Sequence, residues 1–200
     1  MPLLHVPSAA GADEAGRGPI AGPVVAAAVI LPRGFNIEGI DDSKKLDRQK
    51  REELAVRIRA KADYAVVVAD VDEVDRLNIL WASMAAMQRA VAQLKRPFKK
   101  VLVDGNQLPK DMCWPTKAVV DGDAIYACIA AASILAKVER DKLMTEYATD
   151  YPDYGFDQHF GYCTPQHIEA LRKFGPCPLH RRSFARIREY YDQPCLISVD

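Results

Sequence analysis

The 200 residues are 49% apolar and 27% charged, a balance that excludes a disordered chain and suffices for one domain with a real core. Lysine plus arginine and aspartate plus glutamate number 27 each, which excludes a global basic field; nucleic acid would have to be held through local patches. The five cysteines are odd in number and contain no C-x-x-C pair, which argues against a disulfide framework or a zinc site and for free thiols in a reducing cytoplasm. Met1-Pro2-Leu3-Leu4-His5 lacks a basic start and a long apolar stretch, and runs such as Val24–Leu31 are too short to span a bilayer. A soluble, cytoplasmic, monomeric protein without a membrane partner is expected.

The first element is a short strand running into Asp13, followed by Glu14-Ala15-Gly16-Arg17-Gly18-Pro19-Ile20-Ala21-Gly22-Pro23. The glycines let a ligand approach the main chain, and Arg17 offers a planar, permanently charged fork suited to phosphate. Two adjacent carboxylates beside such a loop suit a hard cation next to a phosphodiester; the plain alternative is a polar turn between strands. Val24–Leu31 reads as a buried strand stopped by Pro32. Ile40–Leu46 is a polar loop, and Asp47 caps a helix predicted to run to about Ala62, with Leu54 and Ile58 on its apolar face.

Tyr64–Val71 is predicted as a strand, and Asp72 or Glu73 opens one long helix to about Leu94. Its stripe Leu77, Leu80, Trp81, Met84, Met87 and Val91 has helical spacing and reads as core. Lys100–Val103 is a further strand delivering Asp104, and Ala118–Val120 a short one delivering Asp121-Gly122-Asp123. A small-residue helix follows over Ile125–Tyr147; on it Ser133 and Lys137, four apart, either face the site or merely cap and solvate the helix. Thr164-Pro165 starts another helix and Gly175-Pro176 stops it, and a last one spans Ser183 to about Asp192. Strands interleaved with helices give an α/β fold, one sheet with helices packed on it. Basic residues gather at Lys44–Arg51, Lys95–Lys100 and Arg181–Arg188, although such runs are commonly only solvated faces.

Three strands thus end in acids: Asp13-Glu14, Asp104, and Asp121/Asp123. Like charges about 4 Å apart repel by roughly 4 kcal/mol at an effective dielectric of 20, so convergence at one sheet edge implies a divalent cation. All-oxygen ligands suit Mg²⁺ or Mn²⁺, whereas zinc favours the histidine or cysteine pairs absent here. His5, His159, His167 and His180 show no paired metal spacing and read as structural. Alternation along an extended segment would place Asp121 and Asp123 on the same side.

The chain resembles the type 2 ribonucleases H (ribonuclease HII). The resemblance lies in Asp13–Gly18 (D-E-A-G-R-G), Asp42–Leu46 (D-S-K-K-L), Val103–Asn106 (V-D-G-N), Ala130–Asp141, Tyr154–Thr164 and His180–Phe184, in that order. It covers residues 11 to 188. It implies a ribonuclease H-like fold, a central mixed β-sheet with flanking helices, with residues 1–150 as the catalytic domain and 151–200 as a helical C-terminal extension packed on it. It implies an endonuclease that cuts the RNA strand of RNA–DNA hybrids and incises at single ribonucleotides in duplex DNA, by a two-metal-ion mechanism leaving 5′-phosphate and 3′-hydroxyl ends. The implied ligands of Mn²⁺ or Mg²⁺ are Asp13, Glu14, Asp104 and Asp123. Gly16, Arg17 and Gly18 fall on the loop that reads the 2′-hydroxyl, which is how RNA is told from DNA, and Tyr162 on the substrate-recognition tyrosine. Lys44 and Lys45 are candidate phosphate contacts. Family members commonly carry lysine where this chain has Asp121 and Phe160. The alternatives are a non-catalytic hybrid-binding module of the same fold, or a related nuclease or strand-transfer enzyme acting on DNA only. The tail Gln193-Pro194-Cys195-Leu196-Ile197 has the loose form of a peptide that docks on a replication clamp.

Overall fold

The computed structural model describes residues 3–192, and the proposed clamp-binding tail lies outside them. Five strands, β1 (Ala9–Ala15), β2 (Val24–Ile30), β3 (Asp63–Ala69), β4 (Lys100–Asp104) and β5 (Thr116–Val119), form one mixed sheet in the order β3-β2-β1-β4-β5. β1 runs antiparallel to β2 and parallel to β4, which places the strand carrying Asp13 and Glu14 at the centre of the sheet. Alternating side chains divide the core. Ala12, Val101 and Val103 face one layer, and Ala27 and Val29 face the other.

Helix α1 (Arg48–Lys61) starts at the expected cap, since the Asp47 side chain accepts from the Lys50 N–H. The next helix departs from expectation. The chain leaves β3 at Asp70, whose carboxylate caps α2 (Val71–Leu77), and Asn78 then interrupts the run before α3 (Ile79–Ala92). Asn78 takes a φ of 64°, and its side chain accepts from the Leu80 and Trp81 N–H groups. The apolar stripe survives the break: Met84, Met87 and Val91 are buried, with Leu77, Leu80 and Trp81 packed at the edge.

On the opposite face lies α4 (Ala127–Asp150), starting two residues later and ending three later than the spacing predicts. Ala127, Ala130, Ala131 and Ala136 are wholly buried and let α4 lie close on the sheet. The approach is tightest at Gly11, where a Cβ would stand 2.3 Å from the Cys128 carbonyl carbon. Any side chain there would push α4 off β1, and with it the residues that α4 brings to the Asp13 end of the strand. Helices α5 (Phe156–His159), α6 (Pro165–Phe174) and α7 (Ala185–Asp192) close the chain. Their core of Phe156, Leu171 and Ile187 takes in Ile20 and Ala21 from the glycine loop and Met144 from α4, which seats this segment against that loop and α4. No described helix is long and apolar enough to cross a membrane.

Candidate active site

Register brings the first acids together. Ala12 pairs with Val103 in the parallel β1–β4 ladder, so the next residues along, Asp13 and Asp104, lie side by side at one edge. The Asp104 carboxylate is held by the Gly122 N–H at 2.8 Å. That bond also fixes the turn carrying Asp123. The turn is not extended: Asp121 is left-handed, with φ 52°, and Gly122–Ala124 form a single helical turn. The two acids therefore separate. Asp123 is buried beside Asp104, while Asp121 is exposed to solvent. The expectation that they share a side fails because the strand has ended before Asp121.

The electrostatics record the convergence. Burial, then the charges of Glu14 and Asp104, raise Asp13 well above the usual carboxylate range. Burial raises Glu14 too, against the opposing charge of Arg17, whose Nη1 lies 3.2 Å from Glu14 Oε1. Asp123 is pushed up to about 6 by burial and by the charges of Asp104 and Asp42. The other Glu14 oxygen, Oε2, is buried with no hydrogen-bond partner. A buried unpartnered carboxylate oxygen is costly in a folded protein and demands an explanation. A hard cation shared with neighbouring acids supplies one, and the all-oxygen donor set suits Mg²⁺ or Mn²⁺. Among the described residues no three acidic, histidine or cysteine side chains close around one point. The fit therefore rests on donor chemistry and the buried oxygen rather than on a finished cage.

Asp13, Glu14 and Asp104 open onto a cleft of about 230 Å³ that Gly16, Arg17, Gly18, Lys44 and Tyr162 also line; Asp123, behind Asp104, does not line it. The Lys44 ammonium stands 3.9 Å from the Asp123 carboxylate; burial pulls its pKa down, but Asp123, Asp42, Asp13 and Asp104 outweigh this and raise it. Lys45 is not brought in and pairs with Asp41 at 3.4 Å. Tyr162 is 46% exposed, its ring lying over Gly18. Ser133 and Lys137 both line the cleft. The Ser133 hydroxyl meets Ser43 Oγ at 2.9 Å, whereas Lys137 is held by Asp141 at 2.6 Å. The Phe160 ring lies 5.1 Å from the Lys137 ammonium, so a cation from α4 occupies that neighbourhood.

Several residues that shape the site were not singled out from sequence. Asp42 opens a recognised motif, yet only the structure shows its charge acting on Asp123. The histidines, read as structural, form a relay. Cys177 N–H donates to His180 Nδ1 at 2.9 Å, His180 Nε2 meets His167 Nε2 at 3.0 Å, and His167 Nδ1 reaches the Tyr162 carbonyl at 2.8 Å. One set of neutral tautomers satisfies all three contacts, and burial, which lowers His167 and His180 to about 4, keeps them neutral. The relay ties Tyr162 to the Cys177–His180 segment.

The family model described as Ribonuclease HII matches residues 10–187. A curated relative from Idiomarina loihiensis named Ribonuclease HII is 58% identical over 179 residues, covering 89% of this chain and 95% of its own. Among solved structures, the ribonuclease H2 from Pyrococcus horikoshii OT3 superposes with a TM-score of 0.74 at 29% identity, over 91% of this chain and 96% of that one. A PCNA:RNase HII complex from Archaeoglobus fulgidus contains a chain matching with a TM-score of 0.72 at 27% identity, over 87% of this chain and 93% of that one.

Proposed function

The chain belongs to the ribonuclease HII family and is an endonuclease of the ribonuclease H type, and on that premise we propose how its residues divide the work. Asp13, Glu14, Asp104 and Asp123 hold divalent cations, Mn²⁺ or Mg²⁺. Bound there, such ions lower the pKa of water and neutralise charge on the leaving oxygen. The observation that carries this assignment is the side-by-side placement of Asp13 and Asp104 next to the buried, unpartnered Glu14 Oε2.

Gly16, Arg17 and Gly18 lie against the ribose and its phosphate, with the loop backbone placed to read the 2′-hydroxyl. The exposed Tyr162 ring above Gly18 packs on the neighbouring sugar or base. Lys44, beside Asp123, offsets phosphate charge entering an acidic site. The preferred substrates are the RNA strand of hybrids and single ribonucleotides in duplex DNA, cut to leave 5′-phosphate and 3′-hydroxyl ends. Residues 1–150 form the catalytic domain and 151–200 an extension packed on it, in a monomer of the cytoplasm.

The test is a duplex DNA carrying one ribonucleotide, incubated with Mg²⁺, Mn²⁺ or EDTA. Cleavage beside the ribonucleotide in either metal and none in EDTA is expected; metal-independent cleavage, or equal cutting of an all-DNA duplex, sinks the reading. The name of the Archaeoglobus fulgidus complex supports a clamp contact, which we assign to residues 193–197. Equal retention on an immobilised clamp after removal of 193–200 removes that assignment.

A further inference from the structure

Two arginines are among the most deeply buried side chains of the protein: Arg140 on α4 is 1% exposed, and Arg181 before α7 is 0% exposed. Among the described residues no carboxylate pairs with either; their side-chain bonds go to backbone carbonyls. Arg181 donates to the carbonyls of Gly16 at 2.7 Å, Pro19 at 2.7 Å, Gly22 at 2.9 Å, Pro23 at 3.2 Å and Arg17 at 3.3 Å. Arg140 donates to Pro23 at 3.0 Å and Ala21 at 3.1 Å, and to Phe160 at 3.0 Å. The Ile20 carbonyl is taken by the Arg181 N–H at 3.0 Å. Seven of the eight carbonyls from Gly16 to Pro23 are thereby held by two residues. None of these bonds uses the amide N–H of Gly16, Arg17 or Gly18.

A buried cation is ordinarily matched by an acid; here backbone carbonyls take every side-chain hydrogen bond, all but that of Phe160 from one loop, and the Phe184 ring lies 5.2 Å from the Arg181 guanidinium carbon. The fit is close. Gly16 has a φ of 105°, and a Cβ there would stand 2.2 Å from Arg140 Nε. The guanidinium fork presents five donors in fixed directions, so it dictates carbonyl orientation in a way that a lysine with three mobile donors does not.

We propose that Arg181, assisted by Arg140, is a positioning residue for ribose recognition: it draws the loop's carbonyls inward so that the Gly16–Gly18 backbone keeps its amide groups available to the 2′-hydroxyl. The clamp rests on the reading of Gly16–Gly18 as the ribose-reading loop. It adds that the selectivity of that loop is set from behind, by a residue of the C-terminal segment that touches no substrate.

The experiment measures the binding of the full chain in EDTA to a duplex with one ribonucleotide and to its all-DNA counterpart, at several salt concentrations. The wild type should prefer the ribonucleotide-containing duplex. Arg181→Lys keeps the charge and loses the fork. It should reduce that preference about tenfold, since displacement of a positioning group by about 1 Å costs up to a hundredfold. Affinity for the all-DNA duplex and its salt slope should stay as in the wild type, because no phosphate contact is removed. Arg140→Lys, acting on two loop carbonyls, should give a smaller loss in the same direction. Undiminished preference in a folded Arg181→Lys protein overturns the proposal. If that variant does not fold, undiminished preference in Arg140→Lys does so. A wild type that binds both duplexes alike overturns the ribose-reading assignment itself, a result distinguishable from failure of the clamp alone.

Discussion

Charge is buried in two places a few residues apart, and the two are treated oppositely. At the sheet edge, Asp13, Glu14 and Asp123 sit among like charges, with Glu14 Oε2 lacking any partner. Behind the glycine loop, Arg140 and Arg181 donate to a set of backbone carbonyls. Satisfied buried charge holds the chain in a shape. Unsatisfied buried charge marks where something else is meant to bind.

The sharpest way to break that comparison is to remove one member of each set. Asp104→Asn should lower cleavage at least a thousandfold, roughly 4 kcal/mol of barrier, with a urea-unfolding midpoint no lower than that of the wild type, because the amide relieves repulsion from Asp13 and Asp123. Arg181→Met should do the reverse to the fold, costing on the order of 3–5 kcal/mol in urea unfolding, since several loop carbonyls lose their donor inside the protein. An Asp104→Asn protein that still turns over briskly in either metal dissolves the assignment of the acids. An Arg181→Met protein as stable as the wild type dissolves that of the clamp.

A smaller effect separates the acids on either side of Gly122. Asp123 lies in the buried set and Asp121 in solvent. Asp123→Asn should therefore cripple cleavage, while Asp121→Lys leaves turnover largely intact, tightens substrate binding, and steepens its log–log salt dependence by about one unit. Kinetics and binding at several salt concentrations decide the matter. If Asp121→Lys is the dead variant, the ligand has been placed two residues too late.

What could be read from sequence was whatever is encoded locally. Strands ending in Asp13-Glu14 and Asp104 are visible as β-branched or small-residue runs followed by acids, and the caps at Asp47 and Thr164 sit within three residues of the N–H groups they serve. Asn78 was missed because the apolar stripe continues through it; its left-handed angle leaves no mark in the periodicity. Asp123 was placed on an extended segment because the alternation was carried past the strand's end at Val119, although Asp121-Gly122 is a turn dipeptide. Arg140 and Arg181 look like ordinary surface cations beside Asp141 and Arg182. Their partners lie 119 and 165 positions away, out of reach of any pattern of neighbours.

Those separations also set an order in time. The ribosome makes Asp13 and Glu14 long before Arg181, so at about 5–20 residues per second the loop waits on the order of ten to thirty seconds for its clamp. A chain interrupted anywhere between Asp123 and Arg181 carries all four acids yet has no clamp from α7's threshold. On the proposed reading, selectivity for ribose is then acquired later than the four acids, completed only once Arg181 has been made.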